Sequence, residues 1–431
     1  MVTRSEMNPL LSAAAEFALA HISCSDITQA EDVVTQIARA VASAMMQTVA
    51  DQLSGLSEYD GAYIDCSCGK RSRSRGSRQK DILSIHGVVR VKRVYYRCDH
   101  CGATSFPWDG RQGLSSHMWT PRVKELVAAL CATLPYEQSS VLLKRVSGLD
   151  IEESCEEQIV AEVGGALRRE DEQIIVEAVD MGTMKPAESK PKRLYIGIDA
   201  AKAHTDGEWH DVKVGVIYEG VIPGGGTTDT VRNSRYIAAQ ERSEDFGRRL
   251  YAKAVQCGYD NAIERVVIGD GAEWIWNEAG NHFLKATKII DYWHASEHIH
   301  DLAKALYGEG NPKGKRWANE HCRKLKEKGP GGLLRALARR KVGDERGREA
   351  LRLELRYFTR YRKYMNYPSY AARGMMIGSG PVESACKIVV GHRLKQAGMR
   401  WTSEGSDSVL AVRTALLSGE LDRIERAARA A

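Results

Sequence analysis

The stretch Leu194–Ala200, LYIGIDA, is a short apolar run of β-forming residues that ends in the carboxylate of Asp199. Its length and its Ile and Tyr content favour a buried strand over a helix. The pattern returns at Arg265–Gly271, RVVIGDG, where an apolar run ends in Asp270 and a helix-like segment follows. Two neighbouring strands that each end in Asp bring two carboxylates to one edge of a sheet. Because like charges repel, this arrangement favours a divalent cation between them.

The elements around this stretch predict the fold class. Three strand-like runs begin near residues 194, 212 and 230, and alternating helices and strands follow them up to Ile290. This is an α/β order, and it is the order of a ribonuclease H-like sheet, in which the first and fourth strands are neighbours. We therefore expect an α/β ribonuclease H-like core over residues 190–301. A basic helical insertion is expected over 302–375, and the last part of the core, with an acidic helix, over 376–431.

The composition is that of a soluble, multidomain protein. The chain has 431 residues, 43% of them hydrophobic, and a net charge of +6, and this length predicts two to four domains. No apolar stretch reaches the length of a membrane span, and the first residues lack the features of a signal peptide. Apolar residues at helical spacing predict that residues 1–58 form helices for packing or self-association. Ten cysteines, four of them in close pairs, favour a reducing cytosol and a metal site.

Residues 59–112 have the features of a zinc ribbon. Two pairs of cysteines, each followed by Gly, lie thirty residues apart on either side of strand-like runs: Cys66, Cys68, Cys98 and Cys101. Four thiolates in two tight pairs are the ligands that a tetrahedral structural zinc ion needs. His86 and His100 are possible substitute ligands, although the four-cysteine set is simpler. The alternative is two chance pairs of free cysteines.

The ribbon also carries a basic run between its two cysteine pairs: Lys70, Arg71, Arg73, Arg75, Arg78 and Lys80. The interleaved Ser and Gly residues predict a flexible loop. Guanidinium groups suit phosphate oxygens, so the run indicates contact with a nucleic-acid backbone. A solvated loop with no ligand is the alternative.

Residues 113–180 are predicted to be helical and resemble a helix-turn-helix region. Pro121 and Pro135 each open a helix, and a turn at Gly148 leads to a third helix. The acidic start of that third helix argues against its lying in a major groove along its whole length. Any small helical bundle gives the same pattern. A polar linker over 181–193 then marks a domain boundary.

Several acidic residues have structural alternatives to catalysis. Asp199 and Asp270 could cap the helices that follow their strands. Glu383 would lie at the third position of a helix, where a carboxylate stabilises free amides and the helix dipole. The segment His294-x-x-Glu297-His298 matches the pattern of inverted zinc peptidases, with a polar helix start as the structural alternative.

Four segments together resemble the catalytic blocks of the DDE transposases of bacterial insertion sequences, most closely the Kra-type family. These segments are YIGIDAAK from residue 195, VVIGDGAEWIWN from 266, DYWHASEHI from 291 and GSGPVESACK from 378. The cysteine ribbon resembles the N-terminal part of that family, so the likeness covers about residues 65–402. The resemblance implies that Asp199, Asp270 and Glu383 bind metal. Glu404 and several glutamates of the helical insertion are the alternatives to Glu383 as the third acid. It also maps Asp291 and His294 onto the Asp-x-x-His signature of Mutator-like transposases.

The function that the resemblance implies is DNA transposition, by metal-dependent strand cleavage and strand transfer of an insertion sequence. Two Mg²⁺ ions, or Mn²⁺, would be held by the three acids, and His294 would orient the site or contact the scissile strand. A structural Zn²⁺ would be held by the four cysteines. The partners would be element ends and target DNA, with a homodimer or larger assembly at synapsis, in a cytoplasmic, nucleoid-associated bacterial protein with no membrane partner. The alternatives are an inactive DNA-binding protein on a transposase scaffold and a zinc peptidase.

Overall fold

The computed structural model describes residues 12–17, 20, 26–55, 59–114, 118–185, 187–221 and 230–431. The chain divides into two compact units. The first comprises Met1–Val127, Ser140–Ile151 and Ala428–Ala431, and the second comprises Ala128–Ser139 and Glu152–Ala427. The six segments predicted from the sequence make a finer division, and they stay predictions. No helix in the ranges described here is both long and apolar enough to cross a bilayer.

The first unit contains a four-stranded antiparallel sheet with a long helix against it. The helix is α1 (Ile27–Gly55), and the strands, in spatial order, are β1 (Tyr63–Asp65), β2 (Arg71–Ser84), β3 (Gly87–Cys98) and β4 (Thr104–Ser105). A short helix, α2 (Pro107–Arg111), follows. In β3 the side chains alternate, so that Val89 and Val91 are buried while Arg90 and Lys92 are exposed. The two valines pack in a core with Ala50 of α1 and Ile82 of β2.

The basic run is not the flexible loop that its Ser and Gly content predicts, because residues 71–80 belong to β2. Strand β2 pairs with β3 from Ser72↔Cys98 to Ser84↔Gly87, with one irregularity between Ser74 and Ser77. The run alternates Arg and Ser with the two-residue period of a strand. The ladder offered by the apolar strand β3 outweighs the low β-propensity of β2.

Three helices follow: α3 (Pro121–Cys131), α4 (Tyr136–Ser147) and α5 (Glu153–Ile175). Pro121 is the first residue of α3, and Pro135 comes directly before α4, as expected from its fixed φ and missing N–H. Helix α5 is followed directly by a π-helical turn at Val176–Asp180, where the predicted helical region also ends.

The second unit contains a five-stranded mixed sheet. Its strands are β5 (Arg193–Thr205), β6 (Glu208–Val221), β7 (Thr230–Ala239), β8 (Glu264–Gly269) and β9 (Thr287–Ile290), and their spatial order is β7-β6-β5-β8-β9. The pairs β5/β6 and β6/β7 are antiparallel, whereas β5/β8 and β8/β9 are parallel. Helices α6 (Ser243–Gln256) and α7 (Glu273–His282) make the connections that the parallel pairs require.

The rest of the second unit is helical. After β9 come α8 (Tyr292–Tyr307), α9 (Pro312–Lys328), α10 (Gly331–Ala338), α11 (Glu345–Tyr361), a 3-10 turn (Arg362–Tyr364) and α12 (Tyr367–Ala372). The chain then forms α13 (Gly380–Ala385), a π-helical turn (Cys386–Gly391), α14 (His392–Leu394), α15 (Ser403–Leu417) and α16 (Leu421–Ala430).

Strand β5 does not end at Asp199, contrary to the prediction from the sequence. Its parallel pairing with β8 stops at Ile198↔Gly269, but its antiparallel pairing with β6 continues to Thr205↔Glu208. Asp199 therefore lies where β5 loses one neighbour and keeps the other. Because no helix starts there, Asp199 cannot be a helix cap.

Candidate metal centres and nucleic-acid surface

Three aspartates follow the paired ends of three adjacent parallel strands. Ile198 of β5 pairs with Gly269 of β8, which in turn pairs with Ile290 of β9. The next residue along each strand is Asp199, Asp270 or Asp291. Neighbouring strands are about 4.8 Å apart, so the three aspartates form a row across one edge of the sheet.

Asp199 is half-buried and accepts one hydrogen bond from a backbone amide and one from a thiol. Its Oδ1 accepts the Ala200 N–H at 2.7 Å, and its Oδ2 accepts the Cys386 thiol at 3.5 Å. Burial raises the pKa of Asp199, and the charge of Asp270 raises it further. Burial and these two carboxylates also raise the pKa of the Cys386 thiol, which keeps its proton and acts as the donor.

Asp270 lies in a turn that helix α11 holds in position. Its Oδ1 accepts the Ala272 N–H at 2.8 Å, and Ala272, not Asp270, is the N-cap residue of α7. Gly271 lies against the ring of Tyr357, which leaves no room for a β-carbon at that position. The Tyr361 hydroxyl donates to the Gly271 carbonyl at 3.0 Å. Two tyrosines of α11 thus fix the backbone next to Asp270.

Asp291 is buried, with 4% of its surface exposed, and it has a structural role. Its Oδ1 caps α8 by accepting the N–H groups of Trp293 and, at 3.1 Å, His294. Its Oδ2 accepts the Ser379 N–H at 2.6 Å and the Ser379 hydroxyl. With both oxygens bonded in this way, Asp291 orients the first turn of α8 and hence the backbone of His294.

The two histidines of the peptidase-like segment lie in different surroundings. His294 is partly exposed, and its Nδ1 lies 3.7 Å from an exposed Glu297 carboxylate. His298 is held by Glu354, with 2.9 Å from Nδ1 to Oε2, and its ring stacks on Tyr357 at 3.9 Å. The two histidine rings meet edge to face at 4.9 Å.

Glu383 lies on a helix near this edge of the sheet, but its carboxylate points elsewhere. In α13, Val382 packs so closely on Gly197 that a β-carbon at Gly197 would lie 3.0 Å from the Val382 Cβ. The Glu383 side chain is 65% exposed and pairs with Lys387 at 2.7 Å. Among the residues that the structure describes, neither these acids nor the histidine segment forms a set of three side chains with ligand atoms within 4.8 Å.

The four cysteines do form such a set. All four sulfur atoms lie within 4.8 Å of one another, with Cys66 to Cys101 at 3.6 Å and Cys68 to Cys98 at 3.7 Å. Tetrahedral zinc with bonds of about 2.3 Å separates its sulfurs by about 3.8 Å. Each pair of cysteines close in sequence lies in a turn that a glycine N–H closes. The Gly69 N–H donates to the Cys66 carbonyl, and the Gly102 N–H donates to the Cys98 carbonyl, both at 2.9 Å. Both glycines have positive φ, at 80° and 77°.

The four thiols influence one another's ionisation. The Cys68 N–H lowers the pKa of Cys66 to about 6. The Lys70 N–H lowers the pKa of Cys68, but burial and the neighbouring sulfurs outweigh it and raise that pKa to about 12. One thiolate therefore suppresses ionisation of the next. A bound Zn²⁺ removes this conflict, so the donor set fits zinc.

The exposed basic residues of the hairpin make up a candidate nucleic-acid surface. Arg73 of β2 lies directly opposite Arg97 of β3, and both are exposed. Like charges in such a pair repel unless an anion lies between them. Arg75 pairs with Asp99, and the guanidinium of Arg78 lies over the Tyr95 ring.

Lys80 differs from the rest of the predicted set. Its side chain is 11% exposed and lies 3.8 Å from Asp109, which also binds Arg93 at 2.9 Å. Lys80 therefore belongs to a buried charge cluster, while Lys70 and Arg71 are exposed like Arg73.

Comparison with known proteins assigns a family. Residues 27–429 match the family described as "Uncharacterised protein family (UPF0236)". The chain belongs to this UPF0236 family. A Streptococcus gallolyticus protein described as "UPF0236 protein in vanSb 3'region" is 25% identical over 352 residues, which covers 79% of this chain and 73% of that protein.

This UPF0236 chain also has residues around the aspartate row that the sequence did not single out. They are Glu354, Tyr357, Ser379 and Cys386. The Tyr357 hydroxyl is buried and has no hydrogen-bond partner among the described residues. Burial, with Asp270 next, raises the pKa of Tyr357, so the phenol keeps its proton. For Tyr357 the available signal was its spacing to Tyr361 and Tyr364, which equally indicates packing. Ser379 and Cys386 lie in the GSGPVESACK segment, whose resemblance pointed to Glu383 instead.

Proposed function

We propose that this UPF0236 chain is a DDE-type DNA transposase that cleaves and joins DNA strands at a ribonuclease H-like sheet. The observation that carries the proposal is the register of β5 and β8, which sets Asp199 beside Asp270. Burial raises the pKa of Asp199, and the neighbouring Asp270 carboxylate raises it further. Paired carboxylates at the edge of a parallel strand pair are suited to divalent cations.

The donor set fits Mg²⁺ or Mn²⁺, which are hard cations with a preference for oxygen. Oδ2 of Asp199 has only a thiol donor, and Oδ1 of Asp270 takes the Ala272 amide, which leaves its Oδ2 for a ligand. When bound, a pair of such ions supplies the charge that activates the attacking oxygen and stabilises the leaving oxygen. Glu383 is the third acid in this proposal. Its exposed pair with Lys387 contributes at most about 1 kcal/mol and is therefore readily exchanged.

The remaining residues of the site hold the backbone around the acids and orient His294. Asp291 and Ser379 fix the first turn of α8, so that His294 can orient the site or contact the scissile strand. Tyr357 and Tyr361 hold the turn after Asp270. In phosphoryl transfer such positioning, together with charge stabilisation, is most of what a protein contributes.

The cysteine ribbon supplies the DNA-end-binding module of the proposal. A structural Zn²⁺ at Cys66, Cys68, Cys98 and Cys101 would hold the ends of β1 and β3 next to the start of β2. The exposed Arg73 of β2 and Arg97 of β3 lie beside these ends. The partners are element ends and target DNA, with at least two copies at synapsis. A cytoplasmic, nucleoid-associated location follows from these partners.

Two other functions have less support. An inactive DNA-binding protein would use the same ribbon, and it is distinguished only by the absence of metal-dependent cleavage. A zinc peptidase requires both histidines of the α8 segment to face one ion. Among the described residues, His294 and His298 do not form a ligand set with a third side chain whose ligand atoms lie within 4.8 Å.

The test is strand transfer on DNA ends taken from inverted repeats that flank the gene, with Mg²⁺. Wild type should join these ends to target DNA, and Asp199→Asn should bind DNA without joining it. Asp211→Asn is a matched control, because Asp211 lies on the same sheet in an exposed pair with Lys202. Binding without product from wild type would favour the inactive scaffold, and equal product from wild type and Asp199→Asn would refute the role of Asp199.

A further inference from the structure

Helix α1 has a row of exposed apolar side chains along one face. At 100° per residue these positions lie within about a third of the helix circumference. They are Ile27, Val34, Val41, Met45, Val49 and Leu53, with exposures from 76% for Ile27 to 42% for Leu53. We call this row the α1 stripe. Exposed apolar residues scattered singly are ordinary, whereas an aligned row on one helix marks an interaction site.

The stripe belongs to a helix that is firmly held on its other side. Ala50 is 3% exposed, and Met46 packs on the core beneath the sheet. The Gln47 side chain makes two hydrogen bonds with the backbone of Arg90. Its Nε2 donates to the Arg90 carbonyl at 2.9 Å, and its Oε1 accepts the Arg90 N–H at 2.8 Å. Because β3 fixes the helix orientation, the stripe faces outward as a rigid surface.

A groove of about 630 Å³ runs beside the stripe within the first unit. Val34 and Ala38 of α1 form one wall, and the hairpin turn at Ile85 and Leu149 form the other. Arg39 donates from Nη2 to the Val146 carbonyl at 3.0 Å and so ties the walls together. Next to this bond, the Val146 side chain is 70% exposed. The first unit thus presents an apolar helix face and an adjacent groove, in which polar residues such as Arg39 and His86 lie among the apolar ones.

The composition of the α1 stripe favours a protein as its binding partner. Eleven consecutive residues, Ala40–Ala50, carry no charge, and depletion of charge with Met enrichment is typical of interface cores. A nucleic acid requires basic groups that are available to phosphate, whereas Arg39 beside the stripe is engaged by the Val146 carbonyl. At roughly half exposure, the six side chains present on the order of 500 Å² of apolar surface, near the upper end for a monomer's largest patch. That area fits the apolar part of a standard interface of about 800 Å² per partner.

We infer that the α1 stripe is a homodimer interface, in which α1 of a second copy lies along the stripe and groove of the first. A two-fold interface uses the same patch on both copies, and a helix face beside a hollow is complementary to itself. The inference does not depend on the proposed function. A protein that neither binds nor cleaves DNA would dimerise in the same way.

The test is the mass of the full chain in solution, measured by sedimentation velocity over a range of protein concentrations. Wild type should be a dimer at micromolar concentration. The double variant Val41→Glu, Met45→Glu introduces four charges per dimer and should raise the dissociation constant at least about 100-fold. Both residues are exposed in the single copy, so the far-UV circular dichroism and the thermal midpoint should not change.

Ile263→Glu is the matched control, since Ile263 is 75% exposed but lies in the second unit. It should leave the dimer intact. A monomeric wild type would overturn the inference, and so would a Val41→Glu, Met45→Glu protein that dimerises as tightly as wild type. Equal weakening by Ile263→Glu would also overturn it, because the effect would then not be specific to α1.

Discussion

Replacing Arg73 by Gln tests whether the hairpin binds a polyanion. Arg73 and Arg97 are directly opposite each other and exposed, and neither has a carboxylate partner among the described residues. Arg90, on the same hairpin, is also exposed but is paired with Asp81 at 2.6 Å. Arg73→Gln and the control Arg90→Gln each remove one guanidinium group from the same sheet. They differ in whether that guanidinium is available to a phosphate.

The size of the effect follows from counterion release. Each phosphate that a basic group neutralises contributes about 0.9 to the slope of log affinity against log salt concentration. If the electrostatic part of the affinity vanishes near 1 M salt, one contact is worth about eightfold in affinity at 0.1 M. We therefore expect Arg73→Gln to weaken binding about eightfold and to lower the slope by about 0.9. Arg73→Gln with Arg97→Gln should weaken binding about 60-fold.

The assay is fluorescence anisotropy of a labelled DNA duplex between about 50 and 200 mM salt. Arg90→Gln should change the slope little, because its guanidinium already has a partner. Removing one member of the Arg73/Arg97 pair should also stabilise the free protein by about 0.2–1 kcal/mol, since like charges then no longer face each other. Equal slopes for wild type and Arg73→Gln, or equal losses for Arg73→Gln and Arg90→Gln, would refute this reasoning.

Three further predictions concern other parts of the chain. Cys98→Ser should lower the bound zinc, measured by metal analysis, below one ion per chain and should abolish DNA binding. The helical far-UV signal of the full chain should persist, because most of the helices lie in the second unit. DNA binding as tight as that of wild type would remove zinc from the proposal. Asp199→Asn should raise the free energy of unfolding in urea at pH 7 without divalent cations, because a carboxyl whose folded pKa is raised costs stability once ionised. Glu156 is fully buried and its pKa is raised to about 7 from 4.5, chiefly by burial. The folded protein then holds a proton that the unfolded chain has lost, so wild type should lose up to about 3 kcal/mol as pH rises from 4.5 to above 7. Glu156→Gln should not show this loss, whereas the exposed Glu157→Gln should follow wild type.

The local features of the aspartate row could be read from the sequence. The apolar runs before Asp199 and Asp270 lie in β5 and β8, and these strands are parallel neighbours. Short apolar runs of this kind encode buried strands because both faces of a central parallel strand are covered. The glycine after each cysteine pair was equally informative, since the turns at Gly69 and Gly102 need positive φ.

The features that depend on distant partners could not be predicted. The residues after Asp199 alternate small and polar side chains, and they remain in β5 because β6 pairs with them up to Thr205. The basic run forms a strand for the same reason, because β3 supplies its ladder. Asp291 accepts a hydrogen bond from the backbone N–H of Ser379, which is 88 residues away in the sequence. In each case the decisive partner is remote in sequence, so local propensity carries no information about it.

The position of Glu383 relative to the first two acids depends on one close contact. Gly197 is two residues before Asp199, and its missing side chain lets Val382 approach β5. A β-carbon at Gly197 would lie 3.0 Å from both the Val382 Cβ and the Val216 Cγ1, so α13 would have to move away from the sheet. Packed interiors transmit such shifts instead of absorbing them. Gly197→Ala should therefore reduce strand transfer by displacing Glu383, although it leaves all three acids in the chain.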